Sequence, residues 1–326
     1  MKKSMLSLAI AGAIALPLSA QAEGPIDGSV YGKVNVSIVN ADDGSDDVWE
    51  LNSNASRIGF KGKTELSEGL SAIYKLEYET FVDDGDKDGN TFAQRNIIGG
   101  LTGSFGTVWA GRHDSPTKLA QNKIDLFNDL EGDIKNTFEG ENRLSNVVAY
   151  TTPNMSGVTV TVAGVFGEGK SDLDGDGDAS NDDGVDGTSI SVNYEGDNLY
   201  LALAADQDVD HQDLIRAVAQ WKIDALQLGL MYQQNEDNQD SDAKDESGWF
   251  LSAAYKIDKT TLKAQYGTIE DDADDDEEET FSIGVDYKLA KNTKLFAFYT
   301  QNTDEDGDSS DEEEDEYFGF GMEHKF

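Results

Sequence analysis

Arginine is rare in this sequence and unevenly placed. The chain has five arginines against twenty lysines. Four of them flank one long segment, residues 113–142; they are Arg57, Arg95, Arg112 and Arg143. Arginine is always charged and holds its donors in a rigid fork, so it suits a fixed electric field better than lysine does. Lysine is abundant and would be sufficient for scattered surface charge. The clustering of arginines therefore predicts a site with a fixed electric field.

Other residue types offer little chemistry. The chain has no cysteine, and its three histidines, His113, His211 and His324, allow neither a serine–histidine pair nor a zinc cluster. Residues 172–183 and 84–95 begin like calcium-binding loops, but both lack the bidentate glutamate at the twelfth position. Specific calcium binding, diffuse bridging by divalent cations and a solvated acidic surface remain open. We expect no cofactor, no metal centre and no catalysis.

Composition and the first residues narrow the class of protein. A net charge of −40 argues against nucleic-acid binding. The chain also has 14 Phe, 12 Tyr and 4 Trp, which indicates a folded protein rather than a disordered acidic one. Residues 1–22 have two lysines, a short apolar core and an A-x-A motif, which predicts a secretory signal peptide cleaved before Glu23. The remaining residues, 23–326, contain no stretch of 18 apolar residues. A β-barrel would keep its hydropathy this low.

The mature sequence alternates at two scales. In residues 29–39, Val30, Val34, Val36 and Ile38 fall on one face, and this period of two indicates a strand. Strand-like runs are joined in turn by seven short joints and eight long ones. The long joints are residues 41–53, 82–90, 113–142, 167–187, 206–213, 235–247, 270–279 and 303–316. This order predicts an all-β fold, a sixteen-stranded antiparallel up-and-down transmembrane β-barrel with short periplasmic turns and long acidic extracellular loops.

The segment 113–142, which we call the third loop, differs from the other long joints. It carries seven large apolar residues, whereas its neighbours are almost entirely polar and acidic. Ser115 before Pro116 is typical of a helix start. A loop with this much apolar surface must be buried against something.

Four stretches resemble the general trimeric porins of the Gram-negative outer membrane. They are "GSVYGKVNV" (28–36), "SRIGFKGKTEL" (56–66), "QRNIIGGLTGSFGTVWAGRHDSP" (94–116) and "NRLSNVVAYTTPNMSGV" (142–158), and the terminal phenylalanine also fits. The resemblance implies a homotrimer, passive diffusion of small hydrophilic solutes, and a third loop folded into the barrel lumen as a constriction. It also implies that Phe326 is an assembly signal for the barrel-assembly machinery.

On that resemblance, two opposed sets of charges line the narrowest point. The basic wall would consist of Lys33, Arg57, Arg95, Arg112 and Arg143. The acidic candidates on the third loop are Asp125, Asp129, Glu131 and Asp133. With acid dominating the other loops, we expect cations to be concentrated at the mouth and preferred, less so in high salt.

The expected surroundings are outer-membrane lipid and lipopolysaccharide. Two classes of protein stay open as alternatives. One is a soluble acidic calcium-binding or adhesive β-protein, and the other is an outer-membrane enzyme, for which the histidines give no support.

Overall fold

The computed structural model describes residues 28–87, 89–167, 184–238, 245–271, 276–305 and 312–326. The predicted signal peptide and the calcium-like stretch 172–183 lie outside the described residues, as does Asp88 of the second such stretch. Within the described ranges, no helix is long and apolar enough to cross a membrane. No group of three or more acidic or histidine side chains in these ranges is placed to hold a metal ion.

The chain is almost entirely β-strand. Its seventeen strand segments are β1 (Gly28–Asp42), β2 (Asp47–Ser53), β3 (Arg57–Ser67), β4 (Leu70–Thr80), β5 (Phe92–Gly103), β6 (Gly106–Asp114), β7 (Arg143–Thr151), β8 (Val158–Val165), β9 (Gly187–Glu195), β10 (Leu199–Val209), β11 (Gln212–Ile223), β12 (Leu226–Asp237), β13 (Asp245–Ile257), β14 (Thr260–Asp271), β15 (Glu277–Ala290), β16 (Thr293–Glu305) and β17 (Glu312–Lys325). One short helix, α1 (Pro116–Ala120), interrupts them.

The segments form sixteen spanning strands in one closed sheet. Each pairs antiparallel with its neighbour, and β17 returns to pair with β1. Segments β2 and β3 are two halves of one strand, because both pair with β1 on the same side. Residues 54–56 break this strand, with Ala55 at a φ of 46°. The predicted sixteen-stranded antiparallel barrel is confirmed.

The two faces of each strand have opposite polarity. On β1, Val30 and Ile38 are 57% and 42% exposed, whereas the alternating Asn35 and Ser37 are buried on the inner side. On β17, Phe318 and Phe320 are exposed in the same way. An apolar outer surface around a polar interior suits lipid outside and water inside.

Two of the predicted long loops are wrong. Residues 47–53 are strand β2, which leaves only a short acidic turn where Asp43 Oδ1 accepts the amides of Ser45 and Asp46. Between β10 and β11 the chain turns at Asp210 and His211. Acidic residues at these positions predict a loop, but the strands continue through them. Leu51 of β2 lies directly opposite Ile38 of β1, so β2 still contributes to the apolar outer face.

These extensions place like charges side by side. Glu277 lies directly opposite Glu270 and Glu305 on the neighbouring strands, and Glu305 lies opposite Glu312. We call this row of four glutamates the outer carboxylate row. Like charges directly opposite in a sheet are destabilising.

The barrel closes at the last residue. The amide of Gly32 donates to the Phe326 carbonyl at 3.0 Å, and the Phe326 amide donates to the Gly32 carbonyl at 3.1 Å. A Cβ on Gly32 would lie 2.6 Å from Cζ of the Phe326 ring, so the ring covers this glycine. The terminal phenylalanine is thus part of the seam between first and last strand.

Candidate functional site

The third loop connects β6 to β7 and spans residues 115–142 in the structure. Its start is helical as predicted: Ser115 Oγ accepts the Lys118 amide at 2.9 Å, and Pro116 opens helix α1. The helix ends at Ala120. Beyond it, the backbone is irregular except for a 3-10 turn over Ile134–Asn136.

Apolar side chains hold the loop against the inner wall. Ile124, Ile134 and Phe138 are buried in a cluster with residues of β10–β14, while Phe127 packs with Phe296 and Phe298 of β16 and with Val39 of β1. Glycines make the room on the wall: a Cβ on Gly229 would lie 2.8 Å from Ile124, and one on Gly284 would lie 2.8 Å from Phe127. This burial explains why the loop is apolar.

A fully buried arginine fixes the root of the loop. Arg216, on β11, is 0% exposed. Its guanidinium donates to Glu141 Oε1 at 2.6 Å, to the Glu139 carbonyl at 2.7 Å and twice to Gln233 Oε1 of β12. Thr117 Oγ1 donates to Asp206 Oδ1 of β10 nearby. Both ends of the loop are therefore bound to the same part of the wall.

The turn of the loop reaches across the lumen to the first strands. Asp129 Oδ2 accepts from Lys33 Nζ at 2.6 Å and from Arg57 Nη2 at 2.7 Å. Burial would raise the pKa of Asp129, but the charges of Lys33 and Arg57 hold that pKa below its ordinary value. The structure thus brings together two of the predicted basic residues and one predicted acid.

The other predicted acids of the loop have different partners. Asp125 accepts the amides of Phe127 and Ile134, at 2.9 and 3.3 Å. Asp133 accepts the amides of Asp129 and Lys135, at 2.7 and 3.1 Å. These two carboxylates shape the loop's own backbone. Burial, and then the nearby charge of Asp133, raise the pKa of Asp125.

Glu131 lies farther along the turn, beside strand β2. Its Oε1 accepts from Asn52 Nδ2 at 3.0 Å, and burial raises its pKa. It does not meet any of the five predicted basic residues within ion-pair distance in the described chain.

The basic wall carries its own carboxylates, which the sequence analysis did not single out. Arg95 pairs with Glu77 Oε1 at 3.3 Å and with Glu79 Oε2 at 2.6 Å. Arg143 pairs with Asp114 Oδ1 at 3.0 Å. The signal was present in the alternating stretch 74–79, where charged residues occupy the face opposite the apolar one.

Arg112 lies apart from this wall. It is paired in register with Ile97, and its Nη1 donates to Ser145 Oγ at 2.6 Å. The register between β6 and β7 shifts between Gly111 and His113. Such an irregularity changes the direction in which the following side chains point. Strict alternation therefore does not predict the position of Arg112.

Two cavities meet where the loop approaches the wall. The first, about 580 Å³, lies between the loop and strands β3–β7, and the second, about 590 Å³, extends to the closure seam at Phe326. Arg57, Asp125 and Asp129 line both. We call the first cavity the eyelet.

The eyelet is balanced in charge. Six cationic and six carboxylate side chains line it: Arg57, Arg95, Arg143, Lys118, Lys123 and Lys135, with Glu79, Asp114, Asp125, Asp129, Asp133 and Glu141. Bases and acids occur on both sides, because the loop itself contributes three lysines. The charges are therefore interleaved, in contrast to the predicted arrangement of a basic wall facing an acidic loop.

A second group of carboxylates has no such balance. Glu139 of the loop, Glu246 of β13 and Asp304 of β16 all act electrostatically on Glu278 of β15, which lies directly opposite Asp304. Among the residues that the structure describes, none of the four has a Lys or Arg ion-pair partner. Burial, and then the charge of Glu246, raise the pKa of Glu139. We call these four residues the vestibule cluster.

Comparison with known proteins agrees with this architecture. A family model described as Gram-negative porin matches residues 7–307. The outer membrane porin protein 32 of Delftia acidovorans is 29% identical over 322 residues, covering 91% of this chain and 88% of that protein. The major outer membrane protein P.IB of Neisseria meningitidis serogroup A is 25% identical over 353 residues, with both chains fully covered.

Solved structures share the fold. The anion-selective porin from Comamonas acidovorans superposes with a TM-score of 0.76 at 21% identity, covering 93% of this chain and 100% of that one. In-vitro folded OmpT of Vibrio cholerae, in its trimer form, gives 0.69 at 16% identity, covering 92% and 100%.

A closed barrel with an apolar exterior, a polar lumen and an inward-folded loop defines a channel protein of a lipid membrane. With its family match, this chain belongs to the Gram-negative porin family and is a porin of the outer membrane.

Proposed function

We propose that this porin conducts small hydrophilic solutes and ions between the third loop and strands β3–β7, and that it prefers cations. The observation that carries the proposal is the vestibule cluster, in which three carboxylates act electrostatically on a fourth, beside an eyelet whose charges balance. A charged vestibule concentrates counter-ions at a pore. A balanced eyelet then adds little opposing preference, so the vestibule determines the sign of the selectivity.

Neutralising the vestibule cluster should weaken cation preference. The quadruple variant Glu139→Gln, Glu246→Gln, Glu278→Gln, Asp304→Asn keeps the shapes of the side chains and removes four charges. Reversal potentials across a planar bilayer, measured at two salt levels, should move toward zero most at low salt, because the Debye length is about 10 Å at 0.1 M and about 3 Å at 1 M.

The outer carboxylate row supplies the matched control. Its glutamates Glu277 and Glu305 are each next in sequence to a vestibule residue, so they point to the opposite face of the same strands. Changing all four members of the row to glutamine removes the same charge and should shift the reversal potential less. An equal shift would show that the vestibule cluster has no special role.

A second selectivity has an observation in its favour. One structural neighbour is named as an anion-selective porin. An anion preference of the unmodified channel would mean that the vestibule cluster does not determine the selectivity. The sign of the first reversal potential decides between the two.

We also propose a homotrimer that meets outer-membrane lipid and lipopolysaccharide, with Phe326 read by the barrel-assembly machinery. The trimer form of OmpT supports the first point. The position of Phe326 in the closure seam supports a role in assembly rather than in conduction.

Changing Phe326 to alanine should lower the yield of folded, inserted barrel and leave the conductance of each channel that does insert unchanged. The ring covers Gly32 at the seam; it lines the second cavity and does not line the eyelet. Heat-modifiable gel mobility measures folding, and bilayer recordings measure conductance. Phe105→Ala, which removes another exposed phenylalanine from a short turn, is the control. Normal yield from Phe326→Ala would contradict the proposal.

A further inference from the structure

Side chains of β14 bind the backbone of the third loop at two separated points. The Leu126 amide donates to Gln265 Oε1 at 2.9 Å, and Gln265 Nε2 donates to the Gly132 carbonyl. Lys263, two residues earlier on the strand, donates to the Leu126 carbonyl at 2.9 Å. Gln265 is only 2% exposed. A single buried amide therefore joins the outgoing and returning legs of the loop.

Those two points bracket the turn that carries Asp129. Inside the turn, the Leu130 amide donates to the Phe127 carbonyl at 2.8 Å, and Asp129 has a φ of 66°. At the returning leg the backbone lies directly on the wall, since a Cβ on Gly132 would come within 2.2 Å of Ser282 Oγ. The reach of Asp129 toward Lys33 and Arg57 is thus fixed from β14, which lies four strands from β1 around the barrel.

We infer that Gln265 is the positioning residue that sets the width of the conducting path, by holding the turn of the third loop at a fixed reach. A carboxamide offers a donor and an acceptor on one planar group, and no apolar side chain can replace it. The side chain carries no charge, so it acts on ions through the position of Asp129. This inference rests on the proposed path between the loop and strands β3–β7.

The test compares single-channel recordings of Gln265→Met with those of the parent. Methionine has a similar length and makes neither bond. We expect loss of the single steady conductance level, a fluctuating open current and a shifted reversal potential, with unchanged thermal unfolding of the barrel. Gln220→Met is the matched control, because Gln220 is equally buried on the wall but meets the loop only at Asn122, with a distance of 3.3 Å between nitrogen and oxygen.

A double variant at Gln265 and Asp129 tests whether Gln265 acts on ions through the position of Asp129. If Gln265 acts by placing Asp129, then Gln265→Met should add no further shift in reversal potential to an Asp129→Asn channel. Shifts that add in full, or a Gln265→Met channel with the parent's steady level, would overturn the inference. If Gln265→Met yields too little folded barrel, Gln265→Glu retains the bond to Leu126, loses the one to Gly132, and must still give a fluctuating current.

The result for the Gln265 variants does not depend on whether the proposed cation preference is correct. A parent channel that prefers anions would overturn the proposed cation preference. It would leave the comparison between Gln265→Met and that parent unchanged, because the comparison measures where the loop is held.

Discussion

Replacing Arg216 with methionine should release the root of the third loop from the wall while the barrel itself stays closed. The substitution leaves the Glu141 carboxylate buried without its partner, and breaking a buried ion pair from one side costs about 3–5 kcal/mol. The sixteen-strand ladder does not depend on this contact. Trypsin should then cleave the folded protein at Lys118, Lys123 or Lys135 of the loop, and recordings should show frequent closures.

Two further variants make that result interpretable. Lys222→Met removes a cation from the exposed end of the same strand and should leave the loop protected. The double variant Arg216→Met, Glu141→Gln removes the orphaned charge as well and should recover part of the protection. If Arg216→Met alone resists trypsin as the parent does, apolar packing holds the loop without the buried pair.

Replacing Asp129 with asparagine should shift selectivity toward anions. The change keeps the shape of the side chain and leaves Lys33 and Arg57 without the carboxylate that both contact. One unit charge at 4 Å in water is worth about 1 kcal/mol. That corresponds to roughly a fivefold change in the local concentration of cations, which a reversal potential resolves.

Asp258→Asn provides the control. Asp258 lies in the short turn between β13 and β14 with a φ of 53°, a conformation that asparagine also tolerates. Its replacement removes the same charge at a distance from the eyelet and should leave the reversal potential unchanged. An unchanged potential for Asp129→Asn would show that ions pass the loop without sensing this residue.

Much of the barrel could be predicted from sequence, because its determinants are local. Alternation of Val30, Val34 and Ile38 with polar neighbours requires only a strand with one apolar face. The prediction is wrong at Asp47–Ser53, which is strand β2. Its acidic residues indicated a loop, although Trp49 and Leu51 keep the period of two on the outer face.

The site was less predictable, because its partners are distant in sequence. The porin resemblance placed Arg57 and Asp129 among nine charged candidates. It did not indicate that Asp133 faces its own loop amides or that Arg112 lies beyond a register shift. Gln265 carried no signal, since a neutral amide on a strand looks like any lumen residue. Gly229 and Gly284, where apolar loop side chains lie against the wall, could be recognised only with the loop in place.

The outer carboxylate row has a mechanical consequence. Glu270, Glu277 and Glu305 place like charges directly opposite one another on three adjacent strands. Dissolved salt weakens that repulsion, since screening shortens the range of each charge. Farther into the barrel, the same strands form the part of the wall against which the third loop packs. These strand ends should therefore separate less readily in brine than in fresh water.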